Sequence, residues 1–558
     1  MTGRSSRAAI CICVAAVCVF AAIWGSVIPP DRISPDRISP DRIHSDRIHS
    51  DRAASAPVVT TGHIGGPYGA LLDASTDLGP ARDGLVRVTA ELGDAAPPAH
   101  LTDWALRQGL SVKWRQGDRW AVLQGPPQAL ADSLRIEIRN YRGPQGQVFY
   151  ASPQQPELPA LEETEAVALG RVLGYTPFRD AQRWMLPLEV PGRGLTPDAL
   201  MRTYNIDTLH NEGFTGKGTT VVVFAFDGFD QADLDKFSSS FGLPRFVPEV
   251  VGGQPPSRRG EATMDLEVIH AVAPDARKVL INARPTVEGD GSYTKIAEMM
   301  EDADRRYPGA VWSFSIGWGC DRLITAADLV PVREALAKAT SNGTAALDAS
   351  GDLAGLECKG GQEWSAAPHA DDTGLDAVAS LPEMTNVGGT TLSTDSDGGW
   401  LAEQAWFDGP LSQGSAGGVS ALFDRPDWQR ALDVGTGRGR RLTPDVSAVA
   451  DPFTGVRIVF DGQDIVGGGT SQAAPIWAGI AAVMNQYLTE QGGRQVGHLN
   501  PLLYAVSQGA RRPGFRDIVL GGNAVANAGP GYDLVTGLGT PDVNNLVQNI
   551  LVLQKLLP

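Results

Sequence analysis

The chain has 558 residues, 42% of them hydrophobic, and its 64 acidic against 47 basic side chains give a formal net charge of -17. That length exceeds what one compact core holds and implies two or three folded units with ancillary segments. The acidic balance speaks against a nucleic-acid or anionic-membrane partner, because phosphate recognition needs clustered Lys and Arg and no such cluster occurs.

Arg4 and Arg7 precede an almost unbroken apolar run over residues 8–28. It reads as a signal peptide and is also just long enough to span a bilayer; its basic flank predicts export of the rest of the chain. No small-x-small cleavage site stands out, so segment 1–30 is read as signal peptide or membrane anchor. Cys11, Cys13 and Cys18 lie in this run, leaving Cys320 and Cys358 in the body. In an oxidising compartment two such cysteines pair; two buried thiols are the alternative.

Residues 31–52 repeat a five-residue unit, DRISP twice and DRIHS twice, followed by DR. The recurring Pro and alternating charge predict an extended, solvated tether, assigned to residues 31–71. Residues 72–190 read as a modest mixed unit with strands at 110–114 and 120–123 and a helix at 127–135, interrupted by Pro153, Pro156 and Pro159. The Pro- and Gly-containing stretch 190–194 reads as an exposed linker open to proteolysis. A second unit, 191–558, opens with a helix start at Thr196 and Pro197. Short apolar runs at 219–226, 278–281, 311–316 and 345–349 then alternate with helical segments, which predicts an α/β domain with a largely parallel sheet. In such sheets functional groups collect at the carboxyl ends of strands.

The strongest chemical signal is Gly467-Gly468-Gly469-Thr470-Ser471-Gln472-Ala473-Ala474-Pro475, running into the apolar stretch 476–484. The glycines allow a tight turn that leaves a hydroxyl at a helix N-terminus, where free N–H groups favour developing negative charge. That setting suits a nucleophile, although Thr470 or Ser471 as a plain helix cap satisfies the same pattern. A serine hydroxyl needs a base within hydrogen-bond reach. One option is a subtilisin-type Asp227/His270/Ser471 triad, but Val268-Ile269-His270-Ala271-Val272 lacks the glycine-rich surroundings of that histidine. The other option is Glu261 and Asp265, whose four-residue spacing puts both on one helix face, close enough to share a proton. Carboxylates so coupled titrate as a pair, with one pushed up.

These motifs resemble the sedolisins, the serine-carboxyl peptidases of subtilisin-like fold. The resemblance rests on Gly260-Glu261 through Asp265, Ala349-Ser350-Gly351-Asp352, Val387-Gly388-Gly389-Thr390, Gly417-Gly418-Val419-Ser420, Pro444-Asp445-Val446-Ser447 and Gly469-Thr470-Ser471 with Ala474-Pro475, in the family's order. It implies an α/β catalytic domain preceded by an antiparallel α+β activation propeptide, and a serine-type endopeptidase made as an acid-activated zymogen. It further implies Ser471 as nucleophile, Glu261 as general base and later acid, Asp265 as its orienting partner, and Asp352 as a protonated donor to the oxyanion. Residues 517–533 are similar to the family's calcium site, with Asp517 and Asp533 as side-chain ligands and Ile518, Gly529 and Gly531 as carbonyl ligands, so one Ca2+ per catalytic domain is expected. Protein or peptide substrates, the chain's own propeptide as intramolecular inhibitor, a monomer and an extracytoplasmic location complete the expectations. Two departures stand out: Ala225 where many acid-acting members carry glutamate, and Ser313-Phe314-Ser315-Ile316-Gly317 where some carry tryptophan, with Trp318 displaced. Since all four chemical positions are filled, a silent binding protein on this scaffold is the weaker alternative.

Overall fold

In the computed structural model, residues 62–556 are described apart from 145, 159–163, 177–193, 360–371, 410–412, 433, 436, 438 and 511. The apolar run 8–28 with its three cysteines, the repeats, the linker through Arg193, and Pro159, Leu161 and His369 lie outside the described residues.

The N-terminal unit is α+β and antiparallel, as expected. Four strands pair in the order Ser111–Lys113, Trp120–Gly125, Val86–Leu92, Ala166–Leu169. A separate three-stranded sheet runs Thr76–Pro80, Arg139–Arg142, Val148–Ala151. The strict alternation of buried and half-buried residues along Val86–Leu92 shows why this sequence is a strand: Val86, Val88, Ala90 and Leu92 face one small core with Leu101, Leu123 and Leu130. The expected tether boundary at residue 71 is corrected. Gly66–Asp73 is a helix, with Pro67 in its first turn and Tyr68 fully buried, its hydroxyl donating to the Ser152 carbonyl at 2.7 Å. Tyr68 and Leu72 bury too much apolar surface for a solvated spacer.

The catalytic unit is built on one eight-stranded sheet. Its strands in chain order are β1 (Thr220–Ala225), β2 (Glu249–Val251), β3 (Arg277–Asn282), β4 (Val311–Phe314), β5 (Ala345–Ala349), β6 (Thr385–Thr394), β7 (Trp400–Ala405) and β8 (Val446–Val449). They lie in the order β7-β6-β5-β4-β1-β3-β2, with β8 also on β6; every pairing is parallel except β6 with β7. Buried on both faces, these strands read as continuous apolar runs. Successive β1 residues supply opposite cores: Val221, Val223 and Ala225 pack with helices α1 (Glu261–Val272) and α4 (Thr470–Glu490), and Val222 and Phe224 with α2 (Ser292–Arg306) and α3 (Val330–Ser341). Thr196 caps the first helix of this unit by accepting from the Ala199 N–H, and Pro197 follows at the first helical position. Cys320 and Cys358 form a disulfide with Cα atoms 5.0 Å apart, tying the segment after β4 to the turn after β5.

The second core also holds an acid. Asp348, in β5, is fully buried in register with Phe314 and Asn386, and neither of its oxygens has a hydrogen-bond partner; Asn386 Oδ1 beside it is likewise unpaired. Burial pushes the Asp348 carboxyl well above the usual range, and the Asp376 charge adds to the shift. The native state therefore keeps a proton that the unfolded chain, titrating near 4, releases. This contribution is complete at pH below about 4 and is lost as pH rises toward the folded value, at roughly 1.4 kcal/mol per pH unit. Melting temperatures of the full chain should fall from about pH 4 toward neutrality, and Asp348→Asn should flatten that fall. A slope unaltered by the substitution would contradict a proton on Asp348.

Candidate active site

The N-termini of α1 and α4 meet the carboxyl ends of β4 and β5. Helix α1 starts at Gly260, whose φ of 99° excludes an ordinary side chain at little cost and which supplies no cap of its own. The cap comes from Asp227, just past β1: Oδ2 accepts from the N–H groups of Arg259 (2.9 Å) and Gly260 (3.1 Å), and Oδ1 from Ala262 (3.0 Å). This fixes the first turn and with it Glu261. Glu261 and Asp265 stand one turn apart, 4% and 0% exposed, and among the described residues no Lys, Arg or His pairs with either. Burial pushes Glu261 well above the glutamate range, reinforced by Asp265, Asp227 and Asp352, while the Ser471 hydroxyl opposes the shift. Neither oxygen of Glu261 completes a hydrogen bond with ideal geometry, so Ser471 lies near enough to stabilise the charged form without a closed bond. Asp265 is raised chiefly by burial, with Ser315 opposing and Asp227 adding.

Helix α4 likewise begins after a glycine, Gly469, at φ 82°, which puts Thr470 and Ser471 in its first turn. The Ser471 hydroxyl leans toward the Ser315 carbonyl at a long 3.5 Å. Asp352, beyond β5, is held by Thr470: its Oδ1 accepts from both the Thr470 N–H and hydroxyl at 2.7 Å, and Thr470 Oγ1 accepts from Gly351 N–H at 3.1 Å. Ser471 follows Thr470 directly, so the four chemical groups expected from the sequence are brought together.

The alternative triad is not assembled. His270 sits near the other end of α1, stacked on Phe246 with ring centroids 4.0 Å apart. Its Nε2–H donates to the Pro244 carbonyl (2.8 Å), and its Nδ1 accepts from Lys278 Nζ (3.0 Å). Burial, reinforced by the Lys278 charge, pushes this imidazole down to about 3, so it is neutral. Asp227 serves the helix start instead of a histidine. Ser315 and the helix-capping role of Asp227 escaped the sequence reading. Ser315 was visible only as part of the Ser313 to Gly317 run, and nothing local says which way its hydroxyl points. Trp318, displaced from the expected substrate border, is fully buried and donates to Thr286.

The 517–533 region was tested against a hard cation. Gly531 N–H donates to Asp517 Oδ2 (2.8 Å), and Asp533 accepts from Gly529, Val535 and Thr536, so both carboxylates belong to one loop cluster. Asp533 and Ile518 are buried and Asp517 is exposed. Two carboxylates with glycine-flanked carbonyls fit an oxygen-ligated divalent ion. Among the described residues the one group of three closely set Cys, His, Asp or Glu is Cys320, Asp321 and Cys358, and its two sulfurs are already in the disulfide.

A largely parallel sheet carrying a serine at a helix N-terminus and a buried carboxylate pair, with no imidazole of the described residues bonded to either, defines a serine-carboxyl peptidase of subtilisin-like architecture. Comparison with known proteins agrees. The chain is 31% identical to kumamolisin of Bacillus sp. (strain MN-32) over 468 residues, covering 77% of this chain and 78% of that protein. It is 29% identical to sedolisin of Pseudomonas sp. (strain 101) over 352 residues, 60% of this chain and 58% of the relative, and 26% identical to human tripeptidyl-peptidase 1 over 384 residues, 64% of each. A solved structure of Pseudomonas sedolisin, a serine-carboxyl proteinase complexed with two molecules of pseudo-iodotyrostatin, matches with a TM-score of 0.54 at 26% identity, covering 64% of this chain and 98% of that one. No protein-family model matches. The chain belongs to the sedolisin family of serine-carboxyl peptidases.

Replacing His270 provides the sharpest check on the base. His270→Ala should lower stability by about 1–3 kcal/mol, because Lys278 and the Pro244 carbonyl lose a buried partner, and should leave turnover of the folded enzyme intact. Abolished turnover in a folded His270→Ala enzyme would restore the imidazole mechanism.

Proposed function

We propose that the chain is an acid-acting endopeptidase that cleaves peptide bonds through an acyl-enzyme on Ser471 and is made as an autoprocessed zymogen. The observation that carries this reading is the desolvated Glu261–Asp265 pair facing Ser471, with no cation among the described residues to discharge it. Glu261 takes the Ser471 hydroxyl proton as Oγ bonds to the substrate carbonyl carbon, and Asp265 holds Glu261 in place and shares its proton. The oxyanion that forms is met by the Ser471 N–H and by a protonated Asp352. As the carbon–nitrogen bond breaks, Glu261 returns its proton to the leaving amine. Water, deprotonated in turn by Glu261, then hydrolyses the ester. Protonating both carboxylates removes the base and ionising Asp352 removes a donor, so the activity profile should be bell-shaped with its maximum in acid.

The endopeptidase part of this reading follows the resemblance given above, and the relatives at 26% identity include tripeptidyl-peptidases. Residues 72–190 act in this reading as an inhibitory propeptide. Support comes from its docking: Arg87 pairs with Asp290 (2.8 Å), Arg115 with Glu301, and the Arg171 N–H with Asp328 (3.1 Å). Acid would weaken the Asp328 contact by protonating a carboxyl that burial already pushes up. The disulfide supports an exported location. Among the described residues no helix is long and apolar enough to cross a membrane, and anchoring by residues 8–28 is a question for that segment alone. A monomer remains the working assumption.

Glu261→Gln should reduce kcat by about 10²–10⁴, on the scale of Ser471→Ala, whereas Asp352→Asn should be milder than Asp352→Ala because an amide still donates. On an internally quenched peptide with a blocked N-terminus, cleavage is expected; cleavage only of peptides with a free amine would make the enzyme a tripeptidyl-peptidase.

We further propose that Asp517 and Asp533, with the carbonyls of Ile518, Gly529 and Gly531, hold one calcium ion that braces the C-terminal loop. A ligand at 100 times its Kd stabilises the native state by about 2.7 kcal/mol. Chelation should lower the melting temperature, and Asp533→Ala should remove the response to calcium. Identical melts with and without calcium in the unsubstituted chain would mean the loop is only a turn.

A further inference from the structure

Helix α4 carries Pro475 four residues after Ser471. Proline has no N–H, so the intrahelical donor that would meet the Ser471 carbonyl is missing at the very residue that bears the reactive hydroxyl. Ser315, just beyond β4, takes that place: its hydroxyl lies 3.0 Å from the Ser471 carbonyl oxygen. The same hydroxyl lies 2.7 Å from Asp265 Oδ1. Ser315 is 2% exposed and Asp265 and Ser471 are buried with it.

A hydroxyl has one proton and these are two acceptors. When Asp265 is ionised, Ser315 donates to the carboxylate, the stronger acceptor, and the Ser471 carbonyl is left buried without its partner. When Asp265 carries a proton, Asp265 donates to Ser315 Oγ and Ser315 donates to the Ser471 carbonyl, so the carbonyl regains its partner. We infer that Ser315 is a positioning residue that relays the protonation state of Asp265 to the backbone of the nucleophile, completing the first turn of α4 only while the carboxylate pair holds its proton. The titratable groups facing Asp265 are Glu261 on its own helix and Asp227 at the end of β1, and Asp352 acts on the pair through Glu261. All are acids, and among the described residues no basic group competes for the relay. Pro475 thereby has a role of its own: by withholding an N–H it makes the nucleophile's turn depend on Ser315.

This inference rests on the reading of Ser471 and the Glu261–Asp265 pair given above, and Ser471→Ala and Glu261→Gln serve as controls. If those two retain turnover, the reading itself fails, whatever Ser315 does. With the controls inactive, Ser315→Ala is expected to lower kcat about tenfold with KM within about twofold, because it misplaces the attacking group without touching substrate. Adding Pro475→Ala restores an N–H for the Ser471 carbonyl, so Ser315→Ala/Pro475→Ala should recover most of the lost kcat. Because Asp352 ionisation sets an alkaline limb of its own, the coupling is read in Asp352→Asn, where adding Pro475→Ala should carry activity further toward neutral pH, since the turn no longer needs the Ser315 proton. Wild-type kcat in Ser315→Ala, or a double variant of wild-type melting temperature with no recovery, overturns the positioning role. An alkaline limb of Asp352→Asn that the added Pro475→Ala leaves in place overturns the coupling to Asp265.

Discussion

Two carboxyl groups buried one helical turn apart, with no cation of the described residues paired to them, form the constraint around which the catalytic unit is arranged. Desolvation disfavours their charges, and each disfavours the other's, so the pair keeps a proton where an exposed pair would lose it. A group that holds a proton and can yield it performs the work usually given to a histidine. The buried His270 illustrates the contrast. Its nitrogens are engaged by Pro244 and Lys278, and it stays neutral at the far end of the same helix.

Keeping such a pair buried requires the surrounding backbone to supply what water would have supplied. Asp227 fastens the start of α1 through three N–H groups, so the Glu261 turn cannot fray toward solvent. Ser315 gives Asp265 its one direct hydrogen-bond donor among the described residues, and Thr470 holds Asp352 by two. The acids thus sit in a lattice of backbone and hydroxyl donors contributed by β1, β4, β5 and both helices. The parallel sheet makes this possible, because it delivers the carboxyl ends of its strands to one edge.

The same excess of acid appears away from the cleft. Asp348 has no partner in the second core, and Glu267, also fully buried on α1, has one oxygen on the Val459 N–H and the other unpaired. On the outer face, Asp290, Glu301 and Asp328 receive arginines and backbone N–H groups of the N-terminal unit. Burial raises Asp348, Glu267 and the interface residue Asp328 alike, so buried acids lean toward the protonated form both in the core and against the N-terminal unit.

Much of this was legible in the amino-acid order. Apolar runs marked four of the eight strands of the sheet to within one or two residues, Thr196-Pro197 marked a helix start, the glycine-flanked Thr470-Ser471 marked a nucleophile's turn, and the spacing of Glu261 and Asp265 put two acids on one face. Each of these depends on neighbours close in sequence, through backbone geometry and helical or strand periodicity. Whether those acids are solvated or buried, which hydroxyl reaches them, that Asp227 caps a helix 34 residues later instead of orienting His270, and that residues 66–73 fold as a helix on Tyr68 were decided only in three dimensions. Desolvation and hydrogen-bond partnership are set by groups brought from distant parts of the chain, and a linear pattern carries no record of which side chains will be left without water.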